Sequence, residues 1–233
     1  MDEADKWRGV DLALAVGAAV IVAYGVLVLE WSVFIVIALF WFENVVIGVL
    51  NVAKMLISGA RIGGLGVIAA LALAAFFTVH YGMFTVAHGV FVASLFGKSE
   101  LGSSPSGLFA PLGQMLGVLL NDREGWIAAG SIALLQTAAF FRWWTATREQ
   151  PELLPQLMFA PYGRIVVLHI TVIVSGILVG MLKQPVLGAL LLVALKLAFD
   201  LGAVRTVASG KGRSQLLPMR RFMISQEDDA RRP

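Results

Sequence analysis

The sequence predicts an all-α fold, an integral membrane bundle of about six transmembrane helices with both termini in the cytoplasm. Hydrophobic residues make up 58% of the 233 residues and charged residues only 14%, whereas soluble domains carry about 25% charged residues. Several apolar segments reach about 18 residues or more, the length that favours a membrane span over a buried core helix. Basic residues also fall mainly on one side of these segments, as in multi-pass proteins.

Six apolar segments are long enough to serve as spans. They cover residues 12–29, 33–57, 65–96, 126–144, 165–182 and 186–204. The second and third exceed the ~20 residues of a perpendicular span, so we expect them to tilt or to extend beyond the bilayer. Residues 1–205 then form one transmembrane domain. Its outer loop, residues 97–125, contains an apolar stretch at 107–120 that is too short to cross. We expect either an interfacial or re-entrant helix there, or a surface loop resting on the bundle.

The orientation follows from the eighteen Lys and Arg residues. With the N-terminus inside, fourteen lie on the inner side and three on the outer side, and Lys196 lies within the bilayer. This bias predicts a multi-pass membrane protein with both termini in the cytoplasm. The N-terminal segment is acidic and lacks a cleavage pattern, so no removable signal peptide is expected. Residues 206–233 form a basic, mobile cytoplasmic tail whose arginines would lie near anionic lipid headgroups.

Short connections constrain which helices are neighbours. Residues 30–31 join the first two spans, and residues 183–185 join the last two. Each link is too short to leave its helices apart, so the sequence predicts two antiparallel pairs.

The second span carries a polar stripe formed by Glu43, Asn44, Asn51 and Lys54. On a helical wheel these four side chains fall within a sector about 100° wide. A carboxylate facing lipid would cost on the order of 2–3 kcal/mol. We therefore expect the stripe to face other helices or an aqueous cavity, with the two asparagines as interhelical hydrogen-bond donors or acceptors.

Ionisable residues also occur in three later spans. They are His80 and His88 in the third, His169 in the fifth, and Lys196 with Asp200 in the sixth. Counting from the ends of the spans predicts two layers. Glu43 pairs with Lys196 in the middle of the bilayer, with His80 nearby. His169 contacts Asp200 and Asn51 in the inner third, and His88 lies apart in the outer third.

The Glu43–Lys196 pair has two interpretations that the sequence leaves open, a structural ion pair that fixes helix register or a functional group. In the functional interpretation, Glu43, Lys196 and Asp200 are the catalytic or proton-handling side chains. The three histidines, His80, His88 and His169, are then candidate ligands for a divalent metal such as zinc. The chain has no cysteine, which excludes thiol catalysis, iron–sulfur clusters and Cys-ligated zinc.

Two groups of residues resemble an uncharacterised bacterial family of integral membrane proteins. One is the second-span pattern of Trp41, Glu43, Asn44, Gly48, Asn51 and Lys54, and the other is His80-Tyr81-Gly82-Met83-Phe84 with His88-Gly89-Val90-Phe91. The Lys196 and Asp200 element is similar too. The resemblance spans the second to the sixth helix. It implies a helical membrane protein and assigns no substrate.

Four functions are compatible with these residues. We expect first a membrane protein with a buried ionisable site that handles a solute coupled to protons or ions. The alternatives are an intramembrane zinc hydrolase acting on a lipid-like substrate, a haem protein with histidine axial ligands, and a non-catalytic scaffold. The expected partners are the lipid bilayer and a second copy of the chain, since six spans make a small transporter. No nucleic acid is expected, because the basic charge lies in the tail and inner loops.

Overall fold

The computed structural model is all-helical. It describes residues 3–97, 101, 107, 109–121, 123–148, 152–166, 169–170, 173–174, 190 and 193–198. The helices are α1 (Glu3–Leu27), α2 (Val33–Ile62), α3 (Gly64–Phe96), α4 (Ala110–Asn121), α5 (Arg123–Ala146) and α6 (Leu154–Phe159). Helical turns also occur in the described residues beyond α6, and no β-strand occurs within the ranges given. The predicted all-α class is confirmed, whereas the predicted tail and most of the last two spans lie outside the described residues.

Helix α2 is the centre of the bundle. It begins after Ser32, whose hydroxyl accepts a hydrogen bond from the Ile35 amide at 3.4 Å, and it packs against α3, α4, α5 and α6. Its polar residues Glu43, Asn44 and Asn51 are all buried. The prediction that the stripe faces other helices is therefore confirmed for these three residues, whereas Lys54 is only partly buried.

A single residue, Gly63, separates α2 from α3. Its φ of +96° lies in a region that side chains with a Cβ rarely adopt, so a glycine is required for this reversal. Near the turn, Gly59 lies against Ala70 and 2.7 Å from the Gly66 carbonyl oxygen, as measured from the position a Cβ would occupy. The close approach makes α2 and α3 a tight antiparallel pair.

Helix α4 lies within the predicted outer loop and is docked on the bundle. Leu112, Met115 and Leu119 form one face and are buried, in the same core cluster as Phe34 and Trp41. The helix packs against α3, α5 and α2. The apolar stretch at 107–120 therefore contains a helix that contributes core side chains.

Helix α1 packs against α5, whereas its short link to α2 predicts α2 as its antiparallel neighbour. Val22 and Val26 share a core cluster with Phe34 and Ile37 of α2. Helix α1 therefore contacts α2 through these core side chains.

The segment after α5 that contains α6 packs into the bundle. The sequence analysis does not predict this packing. Leu154 and Leu157 of α6 are buried, and the Leu157 carbonyl accepts a hydrogen bond of 2.8 Å from Asn51 Nδ2. The apolar pattern of α6 is too short for the sequence analysis to identify it as a span. Because α6 is buried, the residues that follow it begin inside the bundle rather than at its surface.

The outside of the bundle is apolar. Leu65, Ile68 and Val79 of α3 are 85%, 65% and 72% exposed, and Leu134 of α5 is 71% exposed. Among the described residues, two stretches are long and apolar enough to cross a membrane, Val33–Ile62 and Gly64–Ser94. Two membrane-length helices and an apolar exterior support the membrane assignment at this coarse level.

Substitution of Gly59 by alanine tests the α2–α3 contact. Because the added Cβ meets Ala70 and backbone atoms of Gly66, we expect a loss of about 1–3 kcal/mol in the free energy of unfolding. Gly82→Ala on α3 is the matched control, since nothing lies within 4 Å of its Cβ position and the same change there should be neutral or stabilising. Unfolding of the detergent-purified protein by SDS titration measures both, and equal effects would contradict the contact.

Candidate functional site

Glu43 of α2 is a buried carboxylate with partners on three other segments. Only 3% of the residue is exposed. Its Oε1 accepts a hydrogen bond of 2.7 Å from Gln136 Nε2 of α5 and lies 3.6 Å from Arg164 Nη1. Its Oε2 lies 3.0 Å from Lys196 Nζ. Donors from three other segments therefore converge on one buried carboxylate, and two of them are cations.

The ion pair between Glu43 and Lys196 confirms the central pair predicted from helix depth. Lys196 has a side chain only 15% exposed, and its Nζ also lies 5.4 Å from the centre of the Phe40 ring. Phe40 and Glu43 are three residues apart on α2 and so share a face. The α2 surface thus offers the ammonium a carboxylate and an aromatic ring together.

Gln136 and Arg164 were missed by the sequence analysis. Gln136 is the lone amide within the apolar segment 126–144, and this was a signal that could have marked it. Arg164 gave no such signal, because it immediately precedes an apolar run and looks like an ordinary inner-side charge. Its access to Glu43 depends on the insertion of the α6 region.

Asn44 and Tyr81 lie beside the carboxylate. The Tyr81 hydroxyl donates to the Asn44 carbonyl oxygen at 3.1 Å, and its ring packs where Gly48 leaves space on α2. Asn44 Nδ2 donates to the Phe40 carbonyl oxygen of its own helix at 2.8 Å, so its side chain does not make the predicted interhelical bond. The buried Asn44 Oδ1 has no hydrogen-bond partner among the described residues, which leaves an acceptor one residue from Glu43.

His80 is held by Tyr162. The His80 Nδ1 and the Tyr162 hydroxyl oxygen are 2.7 Å apart, and the Phe76 and Phe84 rings pack against the imidazole. Tyr162 precedes Arg164 by two residues. One short segment thus contacts both His80 and Glu43 and connects the two polar groups.

His88 and His169 form an imidazole pair, with ring centres 3.9 Å apart. The prediction that His169 lies in the inner third with Asn51, away from His88, is wrong. Because the chain after α6 starts inside the bundle, Tyr162 contacts His80, and His169, further along the chain, contacts His88. Asn51 instead bonds to Leu157.

A metal centre built on His80, His88 and His169 is not supported. Within the part of the chain that the structure describes, no group of three or more His, Asp or Glu side chains is placed to hold a metal. His88 and His169 lie together, but His80 is bonded to Tyr162. Asp200, predicted beside Lys196, lies outside the described residues.

A double-mutant cycle tests the coupling of Glu43 with Lys196. Glu43→Gln alone removes the buried carboxylate from its ion pairs with Lys196 and Arg164, so we expect a loss of about 3–5 kcal/mol in the free energy of unfolding. Combined with Lys196→Met, the loss should fall short of the sum of the two single losses by at least about 1 kcal/mol.

Lys54→Met is the matched control for this cycle, since Lys54 lies on the same stripe but packs on the Trp143 ring. Its combination with Glu43→Gln should be additive within about 0.5 kcal/mol. SDS titration in detergent measures all variants. Strict additivity for Glu43 and Lys196 would count against direct coupling.

Comparison with known proteins found no curated protein and no solved structure that matches the chain. One family, a family of unknown function (DUF6498), matches residues 1–216. The expectation of an uncharacterised family is confirmed, while the bacterial source and the individual motifs stay predictions. The chain therefore belongs to the family of unknown function DUF6498.

Proposed function

We propose that the protein is a six-span bacterial inner-membrane protein, with both termini in the cytoplasm, that couples the handling of a solute to protons or ions through Glu43. The observation that carries the proposal is a carboxylate, 3% exposed, within the 30-residue apolar helix α2. An ionisable group at such a position is expensive to bury and is a functional candidate by default.

The proposed topology has support at the helix ends. Arg61 near the end of α2 donates to the carbonyl and hydroxyl oxygens of Thr147, just after α5, at 2.9 and 3.0 Å. Helices α2 and α5 therefore end on the same side of the bundle. Because α3 turns back directly at Gly63, it runs in the opposite direction. These directions agree with the assignment that places most basic residues in the cytoplasm.

The coupling follows from where the partners of Glu43 are attached. Gln136, Arg164 and Lys196 belong to three different segments, and all meet one carboxylate of α2. Protonation of Glu43 would remove its attraction for both cations, whereas the amide of Gln136 could still donate to the neutral acid. Loss of this attraction would weaken the contacts that the segments carrying Arg164 and Lys196 make with α2. Proton occupancy would thus change the packing of helices.

Other polar groups provide a route toward Glu43 for the proton or ion. Imidazoles exchange protons near neutral pH, and α3 carries His80 and His88 about 12 Å apart along its axis. His80 is bonded to Tyr162, two residues from Arg164. The free acceptor Asn44 Oδ1 is a further oxygen beside Glu43. Titratable groups and an open acceptor together favour ion or solute handling over a scaffold.

Cysteine labelling tests the topology, because the chain has no native cysteine. Ser209→Cys in the tail should be protected from a membrane-impermeant maleimide in intact cells and should react after permeabilisation. Glu30→Cys, in the link between α1 and α2, should react in both conditions. Labelling of Ser209→Cys in intact cells would contradict a cytoplasmic C-terminus.

Charge movement in proteoliposomes tests the function. We expect one of several solute classes (amino acids, sugars, nucleosides or organic acids) to evoke a current on a solid-supported membrane. Glu43→Gln should reduce this current at least about tenfold, as expected when a positioned proton-transfer group is removed. Glu30→Gln is the control, since it makes the same chemical change at an exposed carboxylate.

The variant current is compared only at matched protein incorporation and with a folded Glu43→Gln protein. A wild-type protein that gives no solute-dependent current in any class would favour the scaffold interpretation. A current that Glu43→Gln leaves unchanged would exclude Glu43 as the coupling group.

A further inference from the structure

A crevice of about 500 Å³ lies between α1 and α5, at the end of the bundle where α5 begins. Its walls come from both helices and from the link that follows α1. The side chains that shape it are those of Val20, Tyr24, Trp31, Arg123, Ile127 and Ser131. This crevice is separate from the Glu43 site, since none of the residues around Glu43 lines it.

The crevice runs along the helices rather than across them. Arg123, Ile127 and Ser131 follow at intervals of four residues, so they form one stripe about 12 Å long on α5. Val20 and Tyr24 form the matching stripe on α1. In a bilayer with a hydrocarbon core about 30 Å thick, this length nearly equals the depth of one leaflet.

Trp31 closes one side of the crevice near its mouth. Its indole ring packs directly on Gly25, where any side chain would collide with it, and its backbone amide donates to the Gly25 carbonyl oxygen at 3.0 Å. The ring is thereby fixed beside the crevice. Tryptophan at such a position is typical of the membrane–water interface.

The two ends of the crevice differ in chemistry. Most of the wall is apolar, and within the part of the chain that the structure describes the single charged side chain lining it is Arg123, the first residue of α5. Among the described residues, no hydrogen bond or ion pair engages the Arg123 guanidinium. An apolar channel with a guanidinium at its mouth matches an acyl chain that carries a phosphate at one end.

We propose that this crevice is a binding site for a phospholipid, with one acyl chain between α1 and α5 and the headgroup phosphate on Arg123. The proposal rests on the membrane topology proposed above, which places the mouth at the outer interface. It is independent of the proposed role of Glu43. A small water-soluble anion is a poorer match, because it would leave the apolar walls unfilled.

Native mass spectrometry of the full chain, equilibrated in mixed micelles with phosphatidylethanolamine or with diacylglycerol, tests the proposal. We expect the wild-type protein to retain one phosphatidylethanolamine in preference to diacylglycerol. Arg123→Gln should weaken this retention about tenfold, because a charge-assisted contact to the phosphate is lost. Arg148→Gln is the matched control, since Arg148 is exposed beyond the opposite end of α5 and its loss should change nothing.

A second pair of variants tests the acyl-chain channel. Val20→Trp fills the crevice and should abolish retention. Leu134→Trp puts the same side chain on an exposed position of α5 that does not line the crevice, and it should retain lipid like the wild type. Equal retention by the two tryptophan variants would overturn the channel.

Equal retention by the two arginine variants, or of phospholipid and diacylglycerol, would overturn the phosphate contact. If Val20→Trp fails to fold, the comparison of Arg123→Gln with Arg148→Gln is sufficient to test the proposed site. If Arg123→Gln loses lipid retention but keeps the Glu43-dependent current, the lipid site is supported independently of the proposed transport. If Glu43→Gln loses the current but keeps lipid retention, the proposed transport is supported independently of the lipid site.

Discussion

Burial of the Glu43 carboxylate is the constraint on which the rest of the bundle depends. An ionised carboxylate inside an apolar helix is tolerable only where donors and cations surround it. Those groups cannot come from α2 itself, because the helix offers no nearby cation on that face other than Lys54, which packs on Trp143. They come from Gln136, Arg164 and Lys196. The helices that carry them must therefore surround α2, which fixes α2 at the centre.

Close packing of α2 on α3 brings the other polar groups to the same place. Glycine at position 48 accommodates the Tyr81 ring, and Gly89 lies against the Trp41 indole, whose Nε1 donates to the Thr85 carbonyl oxygen at 2.7 Å. In lipid, helices gain little from the hydrophobic effect between them, so small residues and buried hydrogen bonds supply the association energy. The same contacts place the face of α3 that carries Tyr81 against α2.

The sequence allowed the central layer to be predicted more fully than the segments around it. The 3.6-residue period showed that the α2 stripe must face inward, and depth counting paired Glu43 with Lys196. Depth counting failed for His169, because it assumed that residues 145–164 stay outside the bundle. A segment as short as α6 has no hydropathy signature, and its docking depends on tertiary contacts such as Asn51 to Leu157. That assumption therefore missed both the contact of Arg164 with Glu43 and the contact of His88 with His169.

The energetics of the Glu43 cluster bear on its purpose. A buried ion pair is often no more stabilising than apolar side chains of similar volume, so stability alone does not account for placing one at the centre of this bundle. Helix register is the usual structural reason for such a pair, and between α2 and α3 the glycine contacts already fix it. What the cluster adds is a response to charge, since three separate segments contact the same carboxylate of α2. Such a response is what the proposed ion coupling requires, and a static scaffold has no need of it.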